Sequence, residues 1–326
     1  MTNDKASINV NRQLITFNDA IRRVKNEVDM ALSTAPFIVR KYTAHLKLSR
    51  GKYIRTIALL TCAENKEGLI HPDAIKFAVA IEILHLATLV HDDVIDNANV
   101  RRGVITLQKK YGQKTAVICG DYLLCMALKL VAAVSDKKAY LNLDMPDYMG
   151  RVCLGELNQH INNGNLDLSV YEYLKIIAGK TAALFEASFY AGAIVCEGET
   201  LDIKKYKRLG RYMGMIFQLT DDCIDFETDA DIAKKPVQSD FEQGVITLPL
   251  IHAFNNFIGF KGKAKTNVVS RIDINEAVLK TGGLVFTRKV SKKYYNKSLK
   301  MINELQIEEN KRAKLIALLD KASRVL

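Results

Sequence analysis

Five prolines divide this chain into long segments that favour α-helices. Proline interrupts the interior of a helix, and here it stands at positions 36, 72, 146, 236 and 249. In the first segment, apolar residues recur every three or four positions: Leu14, Phe17, Ile21, Val24, Val28 and Leu32. Residues at that spacing share one helical face. No strand-like alternation of consequence and no repeat of solenoid length interrupts the pattern. The sequence therefore predicts an all-α fold, with residues 1–326 forming a single domain.

The same periodicity predicts where the individual helices lie. We expect helices at roughly 10–32, 36–47, 52–66, 72–97, 115–134, 139–162, 170–196, 202–227, 239–256, 272–280, 284–303 and 308–323. Segments 73–95 and 171–196 are apolar nearly all round, which is typical of central helices in a bundle rather than surface helices.

An acidic cluster ends the apolar run of the predicted helix 72–97. Asp92 and Asp96 are one helical turn apart and share a face, and Asp93 lies beside them. Three carboxylates on about one turn repel each other unless a positive partner is present. Oxygen-only ligands favour a hard divalent cation, here Mg²⁺. Taken alone, the motif is equally consistent with a solvated acidic helix end.

The acidic pattern occurs a second time, far downstream. Asp221, Asp222 and Asp225 repeat the spacing Asp-Asp-x-x-Asp, again after an apolar approach. Two such helix ends can face each other across a cavity and hold several Mg²⁺ ions between them. Because Mg²⁺ keeps waters and prefers phosphate oxygens as further ligands, the pair indicates a multiply anionic substrate.

Composition and charge narrow the classes of partner and compartment. The net charge is +11, but the basic residues are dispersed and no nucleic-acid-binding module is present, so phosphorylated small molecules fit better than nucleic acid. The six cysteines show no framework spacing and are expected to be reduced. The N-terminus has no signal peptide and no uncharged apolar run is long enough to span a bilayer. We therefore expect a cytoplasmic protein.

Basic loops follow both acidic motifs. Arg101 and Arg102 lie just past the first, and Lys234 and Lys235 lie just past the second. Ion pairing with the aspartates and anchoring of phosphate oxygens explain this placement equally well.

Together these motifs resemble those of the trans-isoprenyl (polyprenyl) diphosphate synthase family, over nearly the whole chain. The matching segments, in order, are Gly51-Lys52-Tyr53-Ile54-Arg55, Glu82 to Asp96, Arg101-Arg102-Gly103, Gly120 to Leu124, Gly155-Glu156, Lys180-Thr181, Gln218 to Asp225, Lys235-Pro236, Asp240, Thr247 to Ile251 and Thr281-Gly282-Gly283. The resemblance implies a helical bundle of the isoprenoid synthase type around a central deep cavity.

The resemblance also implies roles for individual residues. Asp92 and Asp96 would ligate two Mg²⁺ ions with Asp93 in support, and Asp221 would ligate a third with Asp222 and Asp225 around it. The allylic diphosphate or the developing cation would be held by Arg101, Lys180, Gln218 and Lys235. Isopentenyl diphosphate would be held by Lys52, Arg55, His85 and Arg102. Ionisation leaves an allylic carbocation, to which Thr181 and Gln218 can offer oxygen dipoles without trapping it.

Product length is expected to depend on the residues one turn before the first acidic motif. Ala87 and Thr88 would line the upper cavity, where short-chain members of the family tend to carry aromatic side chains. Because both residues are small, we expect a product longer than twenty carbons. A short-chain farnesyl or geranylgeranyl diphosphate synthase remains the alternative.

Other activities and assemblies are also compatible with parts of the pattern. A class I terpene cyclase shares the first acidic motif, but its second metal motif usually mixes Asn, Ser or Thr with Glu, and it needs no second diphosphate site. A non-catalytic regulatory subunit typically lacks the aspartates that this chain keeps. The family resemblance implies a homodimer, unless the chain is the catalytic subunit of a two-component, heptaprenyl-type synthase with a small partner. Basic residues at 288–300 allow transient contact with an anionic membrane, or form a solvated helix face.

Overall fold

Helices dominate the structure, a computed structural model that describes residues 14–49, 51–134, 147–196, 200–227, 243–266 and 269–324. The first helices are α1 (Phe17–Ser33), α2 (Phe37–Leu46), α3 (Ile54–Ala63), α4 (Asp73–Ile95), α5 (Leu107–Tyr111), α6 (Gln113–Ala132) and α7 (Tyr148–Ile161). They are followed by α8 (Val170–Ile177), α9 (Ala183–Val195), α10 (Thr200–Glu227), α11 (Leu248–Asn256), α12 (Phe260–Thr266), α13 (Arg271–Thr281), α14 (Gly283–Asn303) and α15 (Glu309–Ser323). The predicted all-α class is confirmed.

Two antiparallel strand pairs, each strand two residues long, accompany the helices. Strand β1 (Ile15–Thr16) pairs with β2 (Leu69–Ile70), and β3 (Val100–Arg101) pairs with β4 (Val104–Ile105). The first pair explains why α1 begins at Phe17 rather than at position 10. Its N-cap Thr16 lies in extended backbone, and its side chain accepts a hydrogen bond from the backbone N–H of Asp19.

Two further helix starts differ from the sequence prediction. Helix α11 begins at Leu248 rather than at position 239, with Pro249 in its first turn. Helix α7 begins at Tyr148 rather than at 139, and Asp147 caps it by accepting from the N–H of Gly150. Residues 135–146 and 228–242, which the predicted helices 139–162 and 239–256 partly cover, lie outside the described residues.

The predicted helix 170–196 is interrupted by a single π-helical turn, Ala178–Ala182. This turn packs closely on α7: a Cβ added to Gly155 would collide with the backbone N of Lys180, and one added to Gly179 would lie 2.9 Å from the carbonyl O of Arg151. Such turns re-aim side chains within a helix. Here the turn carries Lys180 and Thr181.

The core is built around α4, which packs against α1, α3, α6 and α9. A second set of contacts joins α9 and α10 to α3, α14 and α15, with Phe185 and Phe189 fully buried between them. By length and composition alone, α4 and α6 would each suffice to cross a membrane. Buried residues make up 56% of the apolar window of α4 but only 28% of that of α6. For α4, burial in the protein core accounts for the apolar composition.

Candidate active site

The two acidic motifs meet at one cavity of about 100 Å³. Asp96, at the C-terminal cap of α4, and Asp222, on α10, both line it. Lys180 and Thr181 from the π-helical turn and Gln218 from α10 also line it, among other polar side chains. The helices therefore place carboxylates from two distant segments, a cation and two neutral polar groups around a single space.

Burial and mutual repulsion perturb the carboxylates of the first motif. Burial, reinforced by the neighbouring Glu156 and Asp96, raises the pKa of Asp92 to about 7, although Lys180 opposes the shift. Burial likewise raises the pKa of Asp96, against the attraction of Lys180. Perturbed carboxylates in a cleft are typical of functional sites.

Lys180 balances this negative charge. Its Nζ lies 2.9 Å from one carboxylate oxygen of Glu156 and donates to the other at 3.1 Å. Burial opposes the charged ammonium, but the attraction of Glu156, Asp92 and Asp96 prevails and raises the pKa of Lys180. The lysine therefore stays protonated in the physiological range.

Arg101 contacts the first motif directly. Its Nε lies 2.5 Å from Oδ1 of Asp93, which is 6% exposed. Burial raises the pKa of Asp93 and the arginine lowers it, with burial the larger effect. In this structure Arg101 therefore orders the acidic helix end, as expected of an ion pair.

The second motif is held by a hydrogen-bonded chain. Thr181 Oγ1 donates to Oε1 of Gln218 at 2.7 Å, and Nε2 of Gln218 donates to Oδ1 of Asp222 at 2.8 Å. The hydroxyl of Tyr173 donates to Oδ2 of the same aspartate, which is 2% exposed. These donors fix the carboxylate and couple the π-helical turn to α10.

The outer aspartates of the second motif are more accessible. Asp221 pairs with Arg324, whose guanidinium donates to Oδ1 at 2.9 Å. Asp225, one turn after Asp221 on α10, is partly buried.

Within the described residues, no group of three or more His, Cys, Asp or Glu side chains converges as a metal site. The donor set nevertheless fits a hard divalent cation, because both walls offer carboxylate oxygen and substrate phosphates can supply further ligands.

A second, smaller cavity of about 50 Å³ lies beside α4 and the start of α3. His85 and Arg102 line it together with Gly51 and Glu82. Arg102 adopts a left-handed backbone conformation, with φ of 53°, and its guanidinium donates to the carbonyl O of Ser49 at 2.9 Å. Burial lowers the pKa of His85 well below its ordinary value, and nearby arginines lower it further. The imidazole is therefore neutral.

Arg55 lies close enough to this cavity to act electrostatically on His85. It is partly buried, its guanidinium stacks over the Phe185 ring at 4.6 Å, and its buried Nε has no hydrogen-bond partner among the described residues. Burial lowers the pKa of Arg55 to about 10. Lys52 is exposed and, like Arg55, is not among the residues that line the cavity, although its neighbours Gly51 and Tyr53 are. Lys235 lies outside the described residues.

The two residues expected to control product length lie inside α4. Ala87 is fully buried in the core formed by α1, α3, α4 and α6. Thr88 is partly buried, and its hydroxyl donates to the carbonyl O of His85 at 2.8 Å. Because this hydrogen bond satisfies the Thr88 hydroxyl within the helix, the methyl group is the apolar part of the Thr88 side chain.

Three residues that contact the site were given no role by the sequence. Glu156 holds Lys180, Tyr173 holds Asp222, and Arg324 holds Asp221. Glu156 was recoverable, because it falls within a matched Gly-Glu motif. Tyr173 and Arg324 stand 49 and 103 residues from their partners and belong to no motif, so no local pattern signals them.

Comparison with known proteins identifies the family of this chain. The polyprenyl synthetase family model matches residues 37–277. Component 2 of heptaprenyl diphosphate synthase from Geobacillus stearothermophilus is 32% identical over 90% of this chain and 92% of its own. The crystal structure of heptaprenyl diphosphate synthase from Staphylococcus aureus has a TM-score of 0.85 at 32% identity, covering 95% of this chain and 98% of its own. A polyprenyl synthase from Caulobacter crescentus, crystallised with calcium and isoprenyl diphosphate, has a TM-score of 0.83 at 27% identity, covering 94% of each chain. The chain therefore belongs to the polyprenyl synthetase family and is a prenyltransferase of that class.

Proposed function

We propose that this enzyme condenses an allylic prenyl diphosphate with isopentenyl diphosphate in trans (1′–4), with release of diphosphate. The observation that carries the proposal is the cavity that Asp96, Asp222 and Lys180 line together. Carboxylates from two walls, with a cation between them, suit a multiply charged phosphate bound through divalent metal.

The acidic motifs are assigned to metal and the cations to phosphate. Asp92 and Asp96 would hold two Mg²⁺ ions and Asp221 a third, with Asp93, Asp222 and Asp225 supporting them. When bound, the metal would neutralise charge on the leaving diphosphate. Lys180, which is held charged beside Asp92 and Asp96, adds a fixed cation at the same place. Arg101 and Lys235 would complete the allylic diphosphate site.

The second diphosphate would bind at the smaller cavity. Neutral His85 can donate or accept one hydrogen bond without adding charge, while Arg102 and Arg55 supply positive charge. Lys52 would join them only if its exposed side chain swings inward. The double bond of isopentenyl diphosphate would then attack the carbocation, with Thr181 and Gln218 presenting dipoles beside it.

We further propose that the product exceeds twenty carbons. Ala87 and Thr88 leave α4 without an aromatic side chain at the level below Asp92. The relatives named as heptaprenyl diphosphate synthases point the same way.

For the assembly we propose a homodimer that works in the cytoplasm. Exposed apolar residues lie on α6 (Val117, Ile118, Leu128) and along one face of α7 (Leu154, Leu157, Ile161). Exposed apolar side chains grouped on a helix are typical of interaction sites. Because two relatives are named as component 2 of a heptaprenyl diphosphate synthase, a small second subunit is the alternative partner.

An incubation with labelled isopentenyl diphosphate, farnesyl diphosphate and Mg²⁺ tests the proposal, with EDTA as the control. Products are dephosphorylated and separated by chain length. We expect a metal-dependent ladder that ends in one prenyl chain longer than twenty carbons. A cyclic hydrocarbon, or a product that stops at fifteen or twenty carbons, would contradict it.

A further inference from the structure

A third cavity, of about 710 Å³, lies on the side of α10 that faces α14 and the end of α15. Gln218 and Asp222 face the catalytic cavity, whereas Thr220 and Ile224, two positions further along the helix, face this one. The two cavities are thus separated by the body of α10. The volume falls within the range of about 300–1,000 Å³ that is usual for small-molecule sites.

The inner wall of this cavity is apolar. It includes Leu219 and Cys223, which are 0% and 2% exposed, and the partly buried Ile224. The ring of Tyr295 adds apolar surface, and its hydroxyl is held in place by donating to Asp320 at 2.6 Å. A space of this kind accommodates a hydrocarbon chain.

The rim is cationic. Arg288 and Lys292 contribute from α14, and Arg324 contributes from the end of α15. All three are exposed, and Lys292 forms no ion pair within the described part of the chain. An apolar interior beneath exposed cations is complementary to an amphiphile with a long tail and a multiply anionic head.

We propose that this cavity is a second binding site for a prenyl diphosphate, separate from the catalytic cavity. The identity of the ligand rests on the proposed function, which makes such molecules the substrate and product. Arg324 connects this cavity with the second acidic motif, because it lines the cavity and also pairs with Asp221. A diphosphate that competes for Arg324 would release the Asp221 carboxylate toward metal.

Calorimetric titration with farnesyl thiodiphosphate, an unreactive analogue, tests the proposal in EDTA, where metal-dependent binding at the catalytic cavity is suppressed. Lys292→Glu reverses a rim charge, and Asn296→Trp fills the cavity from an exposed position. Lys293→Glu is the matched control, because it makes the same charge change on the same helix at an exposed residue outside the lining. We expect one molecule bound per chain, about tenfold weaker binding in the first two variants and none of that loss in the control.

Three results would overturn the inference. Equal losses in Lys292→Glu and Lys293→Glu would indicate general surface charge, and an affinity for inorganic diphosphate equal to that for farnesyl thiodiphosphate would show that the tail is not bound. Sedimentation with phosphatidylglycerol vesicles but not phosphatidylcholine vesicles, lost only in Lys292→Glu, would make a membrane lipid the occupant. Turnover with Mg²⁺ is measured on the same preparations, so failure of the proposed function is seen separately from failure of this binding.

Discussion

Replacing Asp92 by asparagine should stabilise the metal-free enzyme while it removes a carboxylate that we propose as a metal ligand. Burial, with Glu156 and Asp96 nearby, raises the pKa of Asp92 from 3.8 to about 7. The folded state therefore binds the proton more tightly than the unfolded state. The resulting cost to folding is absent below about pH 4, grows as the pH rises, and is complete above about pH 7.

The magnitude follows from the shift. Raising the pKa of Asp92 from 3.8 to about 7 corresponds to about 4 kcal/mol at pH 8. Because Asn keeps the shape of Asp92 without its charge, but leaves an amide group to be hydrogen-bonded in a largely buried place, we expect Asp92→Asn to raise the free energy of unfolding by about 2–4 kcal/mol. At pH 5 the gain should fall to less than half, since Asp92 is then largely protonated in the folded state.

Denaturant unfolding in EDTA measures the free energy of unfolding of wild type and Asp92→Asn at pH 8 and at pH 5. Glu276→Gln, an exposed carboxylate on α13, is the matched control and should change stability little. Mg²⁺-dependent turnover of Asp92→Asn should fall at the same time. The electrostatic reasoning would be refuted if Asp92→Asn were no more stable than wild type at pH 8, or if it were stabilised equally at pH 8 and pH 5.

Three further substitutions test other parts of the site. Lys180→Met removes the cation beside Glu156, and turnover should fall by about 10²–10³ with the fold intact, as judged by circular dichroism. Tyr173→Phe leaves the buried Asp222 with one donor fewer. It should lower the free energy of unfolding by about 1–3 kcal/mol in denaturant titrations and weaken Mg²⁺ binding; unchanged stability would contradict the role of that hydroxyl. Ala87→Phe should shorten the product seen after dephosphorylation and chromatography, and an unchanged chain length would remove α4 from length control.

The sequence predicted the features that depend on local pattern. Helical periodicity located most of the long helices, and the repeated acidic spacing correctly indicated that two helix ends share a cavity, now seen at Asp96 and Asp222. The π-helical turn at 178–182 was missed because apolar residues continue through it without a break in period. The start of α1 was missed because the pairing of Ile15 with Ile70 joins residues that are distant in sequence.

The contacts that set the charge of the site lie beyond local pattern altogether. Tyr173 reaches Asp222, and Arg324 reaches Asp221, only because α8 and the end of α15 pack against α10. A sequence pattern records residue types and spacings, not which donors three-dimensional packing brings to a buried carboxylate. The roles of the aspartates, of Lys52 and Lys235, and the single domain over 1–326 stay predictions.

Diffraction from a crystal grown with Mn²⁺ and farnesyl thiodiphosphate tests the central claim, that both acidic walls hold one metal–diphosphate complex. Anomalous scattering locates the Mn²⁺ ions directly. We expect peaks inside the cavity lined by Asp96 and Asp222, with carboxylate ligands from both α4 and α10 and the diphosphate between them. Metal bound to one wall alone, or a diphosphate placed outside this cavity, would contradict the account.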